Sequence, residues 1–484
     1  MKKLTAIMLI ALLAVPFSAF ALTDAEVETE ITNMKQRLED LSKDNEKLTR
    51  RLKDSRSPIT ISGDYQFRMD SIEGDVPLYY QFNPAEIMTP IAAGGYTVKN
   101  SDLWTNRFGL NINARATEDI SVKARLVMYK VWGHQSADTV LGPYFADRYS
   151  MFDGNTSHVP QDSVVRVDTA FASWSGIGDS PVWFSVGRRP STGGIPTNLR
   201  HNMEKTGASG TPGILVDYAF DGLVLGIAPD IDALPGAYAK LCYGKGFDSG
   251  YQVDGSSPLK DVKMIGLDVA AYETEALRIE FQYNRALDIF AQPETTVDNV
   301  NLGNIDQFGA VVTGKAGNIN WFASAAMSKT DPNDNLYMGM AGLLYDNPMM
   351  GGEKKSKTGN AVYVGARYDM DDLGLKFGAE YNQGSEDWLT FTPAADDMLT
   401  SKLGVRGNVT EFYIIKDLKQ EPVFRRGRAF FKLGYQDYTF DYTGSSNWVG
   451  APKDMDDINN PMLAQMMVPI ETASNLYLTY NVEF

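Results

Sequence analysis

The sequence has 484 residues and an acidic balance, with 61 Asp and Glu against 45 Lys and Arg and a formal net charge of −16. This balance argues against nucleic acid as a partner. A single cysteine, Cys242, cannot cross-link the chain internally, so we expect a large core or a closed sheet to hold the fold.

Residues 1–21 have the three parts of a secretory signal peptide. Met1-Lys2-Lys3 is basic, an apolar stretch runs from Leu4 to Phe17, and Ala19 and Ala21 provide a small-x-small cleavage site. The apolar stretch is shorter than the roughly 20 residues that a membrane-spanning helix needs. Cleavage after Ala21 would remove two lysines and no acid, which changes the net charge to −18.

Residues 22–54 are polar and charged, and their apolar positions alternate in steps of four and three. This heptad pattern predicts an α-helical coiled coil on the periplasmic side, with Asn45 as a polar seam residue that fixes register. The alternative is a single amphipathic helix that lies on the base of the following domain. The seam residues predicted to associate are Ile31, Met34, Leu38, Leu41, Asn45 and Leu48.

Pro58 ends the predicted helix, because proline disfavours helical geometry in the residue before it. From there the apolar residues recur with period two, in segments such as "ITISGDYQFRMD" and "LRIEFQYN". Segments of about ten residues, separated by tight turns and long loops, are typical of a transmembrane antiparallel β-barrel. A soluble sandwich would also alternate, but soluble domains seldom carry many long irregular loops. We therefore predict an all-β barrel over residues 58–484. The tight turns are predicted at 117–119, 221–222, 274–276, 315–318 and 370–373.

The strand number depends on one ambiguous region. Two apolar segments, "LVLGIA" and "AYAKLCYGKGF", lie between Gly222 and Met264. If Asp221-Gly222 is a turn, both segments can be full wall strands only when one further strand is present. Sixteen strands follow if one of these segments lies outside the wall, and 18 strands follow if another strand is present. We favour 16.

The C-terminal segment "NLYLTYNVEF" places Leu476, Leu478, Tyr480, Val482 and Phe484 on one strand face. A closed barrel allows a chain to end within a strand, because that strand pairs with the first and leaves no open edge in lipid. The segment resembles the C-terminal assembly signal of bacterial outer-membrane proteins. Tyr480, Val482 and Phe484 would carry that signal. The resemblance implies the outer membrane of a Gram-negative bacterium, with lipopolysaccharide around the barrel and the outer-membrane assembly machinery as a partner.

The third outward loop differs from its neighbours because it is basic. Arg188, Arg189 and Arg200 lie in "RRPSTGGIPTNLRHN", whereas the other long loops carry acids. The segment resembles, by position, the third loop that general porins fold into the lumen as a constriction. An ordinary surface loop whose arginines pair with nearby acids is the alternative.

Inward-facing bases outnumber inward-facing acids along the predicted strands. Rings of basic side chains favour anions, although the acidic outer loops would concentrate cations at the mouth. The pattern predicts a weak anion preference. The predicted pore-lining and constriction residues are Arg107, Arg115, Lys123, Arg125, Arg166, Arg188, Arg189 and Arg200.

The order of signal peptide, coiled coil and barrel, with "VGRRPSTGGIPTNLR" and "KLCYGKGFDSGY", resembles a family of outer-membrane channel proteins from metal-respiring bacteria. The resemblance implies a porin-like channel for passive diffusion of small hydrophilic solutes or ions. A homo-oligomer, with a trimer favoured, is the expected assembly. The alternative is a structural barrel: a coil-mediated envelope anchor, or the sheath of a porin–cytochrome-type complex with a periplasmic or cytochrome partner.

Catalysis is not expected. The histidines are His134, His158 and His201, and none shows a Ser/His/acid pattern. No His/Cys cluster predicts zinc or haem, so we expect no cofactor and assign no metal site. The acidic stretches 331–334 and 454–457 could hold Ca²⁺ or Mg²⁺, or they could simply be solvated.

Overall fold

The computed structural model describes residues 35–37, 58–81, 83, 89–133, 157–191, 193–203, 213–251, 259–291, 299–336, 342–346, 352–392, 397–419, 421, 427–465 and 467–484. The predicted signal peptide lies outside these residues, as does the predicted coiled coil apart from three helical residues, 35–37. By internal contacts the chain divides into residues 1–58 and 59–484. No helix among the described residues is both long and apolar enough to span a membrane.

Residues 59–484 form a closed antiparallel barrel of sixteen strands, β1 and β4–β18, which confirms the favoured strand number. A separate two-stranded sheet, β2 with β3, lies in the first long loop. The strands are β1 Ile59–Val76, β2 Tyr79–Gln81, β3 Ile91–Ala93, β4 Tyr96–Arg115, β5 Ile120–Val131, β6 Arg166–Ser175, β7 Val182–Ser191, β8 Tyr218–Ile227, β9 Tyr238–Phe247, β10 Val262–Glu273, β11 Leu277–Phe290, β12 Asn301–Ala316, β13 Ile319–Pro332, β14 Thr358–Met370, β15 Leu375–Gly384, β16 Gly407–Leu418, β17 Arg428–Phe440 and β18 Thr472–Glu483.

The barrel closes between its first and last strands. β1 pairs with β18 in an antiparallel register that runs from Asp64 opposite Glu483 to Asp75 opposite Thr472. At the end of this seam, the Gly63 and Phe484 backbones exchange two N–H···O bonds of 2.7 and 2.9 Å. The seam therefore satisfies the backbone groups that an open sheet would expose to lipid.

Burial along the strands is the reverse of that in a soluble sheet. On β18, Leu476 and Leu478 keep 51% and 39% of their surface exposed, while Asn475 and Thr479, on the opposite face, are fully buried. The same alternation of exposed apolar and buried polar side chains recurs along the other strands. An apolar outer face and a polar interior are the properties of a transmembrane barrel.

The turn predicted at Asp221-Gly222 is wrong. These residues lie in the middle of β8, where Asp221 pairs with Arg188 on β7 and with Lys245 on β9. Both "LVLGIA" and "AYAKLCYGKGF" are therefore wall segments, and no additional strand is needed. The error arose because residues 213–217 look like strand. Instead Ile214 and Leu215 are buried among apolar side chains inside the barrel.

Candidate permeation path inside the barrel

The third long loop, which follows β7, crosses the barrel lumen. In the sixteen-strand ring β7 and β15 are eight strands apart, so they lie on opposite walls. Beyond the short helix Thr197–Arg200, Asn202 accepts a 2.6 Å bond on its Oδ1 from Lys376 of β15 and a 2.6 Å bond on its carbonyl from Arg428 of β17. The loop is thus fixed to the wall opposite its origin.

Arg200 forms the most buried ionic contact of this loop. Its Nη1 lies 2.6 Å from Asp397 Oδ1, in the seventh long loop, and 3.2 Å from Glu411 Oε2 on β16. Lys402 joins the same group, because its Nζ lies 2.5 Å from both Glu411 and Glu380. All five side chains are at least nine-tenths buried, so two basic and three acidic groups offset most of one another's charge away from water.

The third and seventh loops pair with each other inside the barrel. The Phe391 N–H donates to the Leu215 carbonyl at 2.9 Å, and the Asp217 N–H donates to the Phe391 carbonyl at 3.0 Å. Thr390 Oγ1 donates to the Ile214 carbonyl at 2.7 Å. These contacts bring the two loops together as one body that occupies the lumen.

One side of the lumen is filled by an apolar cluster. Leu215 and Phe391 from the loops pack there with Trp448, from the last long loop, and with inward side chains of β8 and β10–β14. Inward polar groups on the same wall are consequently shut off from solvent. Asp268 on β10 and Gln307 on β12 each expose about 1% of their surface.

The inward face of β4 and β5 remains accessible toward the end of the barrel that carries the tight turns. Lys123 and Arg115 are exposed, and the inward side chains between them and the barrel middle are partly exposed. Toward the opposite end, Met398 and Leu399 of the seventh loop cover Tyr129 and neighbouring apolar residues. We name the accessible surface the open strip. Its members are Asp64, Arg107, Asn111, Asn113, Arg115, Lys123 and Arg125.

Arg125 is the centre of charge on the open strip. Its Nη1 lies 2.6 Å from Asp64, and its Nε lies 3.5 Å from Asp168 on β6. Asp168 also accepts a 2.6 Å bond from Ser157 and lies 2.9 Å from His158 Nε2, both in the second long loop. Burial opposes the charged imidazole, but the Asp168 carboxylate outweighs it and raises the pKa of His158.

The remaining predicted site residues fall in different places. Arg107 lies on the open strip with its guanidinium 5.7 Å from the Tyr129 ring, and Arg115 donates to the Glu118 carbonyl at 3.0 Å. Arg166 lies at the loop end of β6, 3.2 Å from Asp162. Arg189 is buried at the end of β7, away from the open strip.

The assignment of Arg188 to the pore is wrong. Arg188 pairs in register with Asp221, which belongs to the same strand face as the exposed Leu223 and Leu225. Its Nη1 lies 3.7 Å from the Asp221 carboxylate, which is 59% exposed. Arg188 therefore points away from the lumen, because residues that pair in register on adjacent strands lie on the same face of the sheet.

Two residues that organise the lumen had no visible sequence signal. Lys402 lies in a loop, and Glu411 lies on β16, whose inward face also carries Val409, Tyr413 and Ile415. That face is largely apolar because Val409 packs against Met398 and Leu399 of the seventh loop, and Tyr413 and Ile415 pack with Phe430 of β17. The alternation that identifies other strands is therefore weak on β16.

In the described ranges, no three His, Cys, Asp or Glu side chains are grouped as metal ligands. In the acidic stretches, Asp334 lies 2.8 Å from Lys354 and Asp331 lies 3.6 Å from Arg285. These carboxylates are thus engaged with basic side chains.

A closed sixteen-strand barrel with a loop folded across its lumen defines a porin-like outer-membrane fold. The chain belongs to the family described as "Protein of unknown function (DUF3373)", whose model matches residues 97–484. A search of curated proteins found no match.

Two solved structures illustrate the similarity. "OmpT (in-vitro folded), an outer membrane protein Vibrio cholerae (trimer form)" is 12% identical at a TM-score of 0.41, covering 88% of this chain and 99% of that one. "Salmonella typhi OmpF complex with Daunomycin" is 11% identical at a TM-score of 0.42, covering 87% and 97%.

Proposed function

We propose that the protein is an outer-membrane channel for passive diffusion of small hydrophilic solutes or ions, with a weak preference for anions and no catalytic role. The observation that carries this proposal is the open strip on β4 and β5. Charged and amide side chains there stay in contact with solvent inside the barrel, while the opposite wall is sealed. A sixteen-strand barrel is wide enough to contain such a path beside its own loops.

The charges of the open strip support the anion preference. Among the described residues, Lys123 and Arg115 form no ion pair, while Arg125 is shared between Asp64 and Asp168. The strip therefore carries a positive surplus near the tight turns. Inward basic side chains lower the energy of a passing anion, and they do so most where bulk water does not screen them.

The loops set the width of the path. Because the third and seventh loops fill one side of the lumen and cover the loop end of β4 and β5, solutes must pass a narrow region beside them. We expect a conductance smaller than that of a barrel of equal strand number with an empty lumen.

The filled lumen also favours a channel over the sheath of a cytochrome complex. A protein partner inside the barrel would have to displace the apolar cluster around Leu215, Phe391 and Trp448, and would expose it to water. A coil-mediated anchor remains compatible with the channel, because residues 22–54 precede the first barrel strand in the sequence. We place the coil in the periplasm and expect a homotrimer.

The test compares reversal potentials of purified protein in planar bilayers under a KCl gradient. Replacing Lys123 and Arg115 by Ser should reduce or abolish the anion preference, because it removes the surplus charge of the open strip. The single variants Lys123→Ser and Arg188→Ser form the matched pair, since each removes one positive charge, from the open strip and from the outer face respectively. Equal shifts in both variants would contradict the assignment of the path.

A further inference from the structure

A small cavity lies against the barrel wall across β7–β11, apart from the open strip. Its volume is about 40 Å³, and Gly222, Gly244 and Gly266 are among its lining residues. A Cβ at Gly266 would come within 2.7 Å of Asn284 Oδ1, so glycine keeps this space clear. Val216 of the third loop also lines the cavity and is buried.

Arg189 enters this cavity as a buried cation without a carboxylate partner. It is 7% exposed, its Nη1 donates to Ser185 Oγ, and its Cζ lies 4.8 Å from the centre of the Phe171 ring. Its Nε–H has no acceptor, and no carboxylate of the described residues forms an ion pair with it. By contrast, the buried Arg68 lies 2.7 Å from Asp70.

An uncompensated buried charge is costly, and an apolar or aromatic wall relieves it only in part. A water molecule would satisfy the Nε–H but would leave the positive charge unbalanced. An anion would satisfy both, because it accepts the hydrogen bond and neutralises the guanidinium.

Gln282 and Asn284 of β11 also line the cavity and supply a further donor. Gln282 Nε2 donates to Asn284 Oδ1 at 2.9 Å, which leaves Asn284 Nδ2 without an acceptor. If the oxygen and nitrogen positions of both amides were exchanged, Asn284 Nδ2 would donate to Gln282 Oε1, and Gln282 Nε2 would be the nitrogen without an acceptor. In either orientation one buried NH₂ group remains available at the cavity.

We propose that this cavity binds one small monovalent inorganic anion of chloride size, held by Arg189 and the amide donor of the Gln282–Asn284 pair. A volume of about 40 Å³ exceeds the roughly 10–15 Å³ that a single water requires, and suits a monatomic ion. The site does not depend on conduction, because its lining residues belong to β7–β11 and the third loop, apart from the open strip.

Bromide is the probe, because it replaces chloride and scatters anomalously. Crystals of the full-length protein grown in sodium bromide should show an anomalous peak within about 3.5 Å of the Arg189 guanidinium. Arg189→Gln should lose the peak, and Asn284→Leu, which retains the arginine, should lower its occupancy at least twofold. Arg278→Gln, which alters a different buried arginine on β11, should keep it.

Solution measurements separate a site from binding at crystal concentration only. At constant ionic strength, sodium bromide should raise the Tm of the wild type over sodium gluconate, because a ligand that binds only the folded state stabilises it. Arg189→Gln should show no such difference. A folded wild type without the peak, a peak that persists in Arg189→Gln, or equal Tm shifts in both proteins would overturn the proposal. None of these readouts requires conduction, so loss of channel activity would bear only on the proposed function.

Discussion

Replacing Arg200 by Met removes the central charge that holds the third loop across the lumen. Its partners Asp397 and Glu411 are both almost fully buried. Removing one member of a buried ion pair typically costs about 3–5 kcal/mol. At about 1.4 kcal/mol per factor of ten, the ratio of docked to undocked loop should fall between about a hundredfold and a few thousandfold.

Undocking should widen the path without unfolding the barrel. Arg200 takes no part in the sixteen-strand ladder or in its closure between β1 and β18, so the wall should stay intact in the Arg200→Met protein. We therefore expect a folded barrel with larger mean conductance and more current noise in single-channel recordings.

Arg278→Met is the matched control for this experiment. Arg278 also lies in a buried pair, 2.5 Å from Glu280 on its own strand β11, but none of its ion-pair partners in the described residues belongs to the third loop. Its conductance and noise should match the wild type. Unchanged conductance and noise in folded Arg200→Met, or equal changes in both variants, would refute the claim that the Arg200 contacts constrict the path.

Three further predictions concern pH, closure and assembly. Because Asp168 raises the pKa of His158 above 6.5, their ion pair is present below pH 6.5 and is lost as the pH rises through the raised pKa. The chloride-to-potassium permeability ratio should therefore fall as the pH rises in the wild type and stay constant in His158→Gln. A constant ratio in the wild type would contradict this prediction. Deleting Phe484, which pairs with Gly63 and stacks 6.5 Å from Phe108, should lower the yield of assembled barrel on heat-modifiable gels, and an unchanged yield would count against a closing role. Replacing Leu38 and Leu41 by Asp should weaken self-association in native detergent analysis while leaving the barrel folded, whereas an unchanged mass would exclude the coil from assembly.

The wall of the barrel was readable from sequence because lipid and water impose opposite preferences on alternate residues. The pattern on β18 and β1 gave the correct faces and the correct closure. The alternation of apolar and polar residues did not predict the structure where the inner face of the barrel contacts protein instead of water. Residues 213–217 then resembled a strand, and the inward Tyr413 and Ile415 weakened the alternation on β16.

Side-chain direction near strand ends was equally hard to predict. Arg188 and Arg189 are adjacent, so one of them must face outward, and a single-residue change of register exchanges their roles. The partners of Arg200 come from residues about 200 positions away, in the seventh loop and on β16. Such contacts depend on where the loops pack, which local periodicity does not encode.

The most direct test of the account is the current through purified wild-type protein in a planar bilayer with a KCl gradient. We expect stable channels of modest conductance, with a reversal potential displaced slightly toward the chloride equilibrium potential. Clear cation selectivity would show that the outer acids, rather than the open strip, control permeation. Absence of channels from correctly folded protein would contradict the proposed function itself.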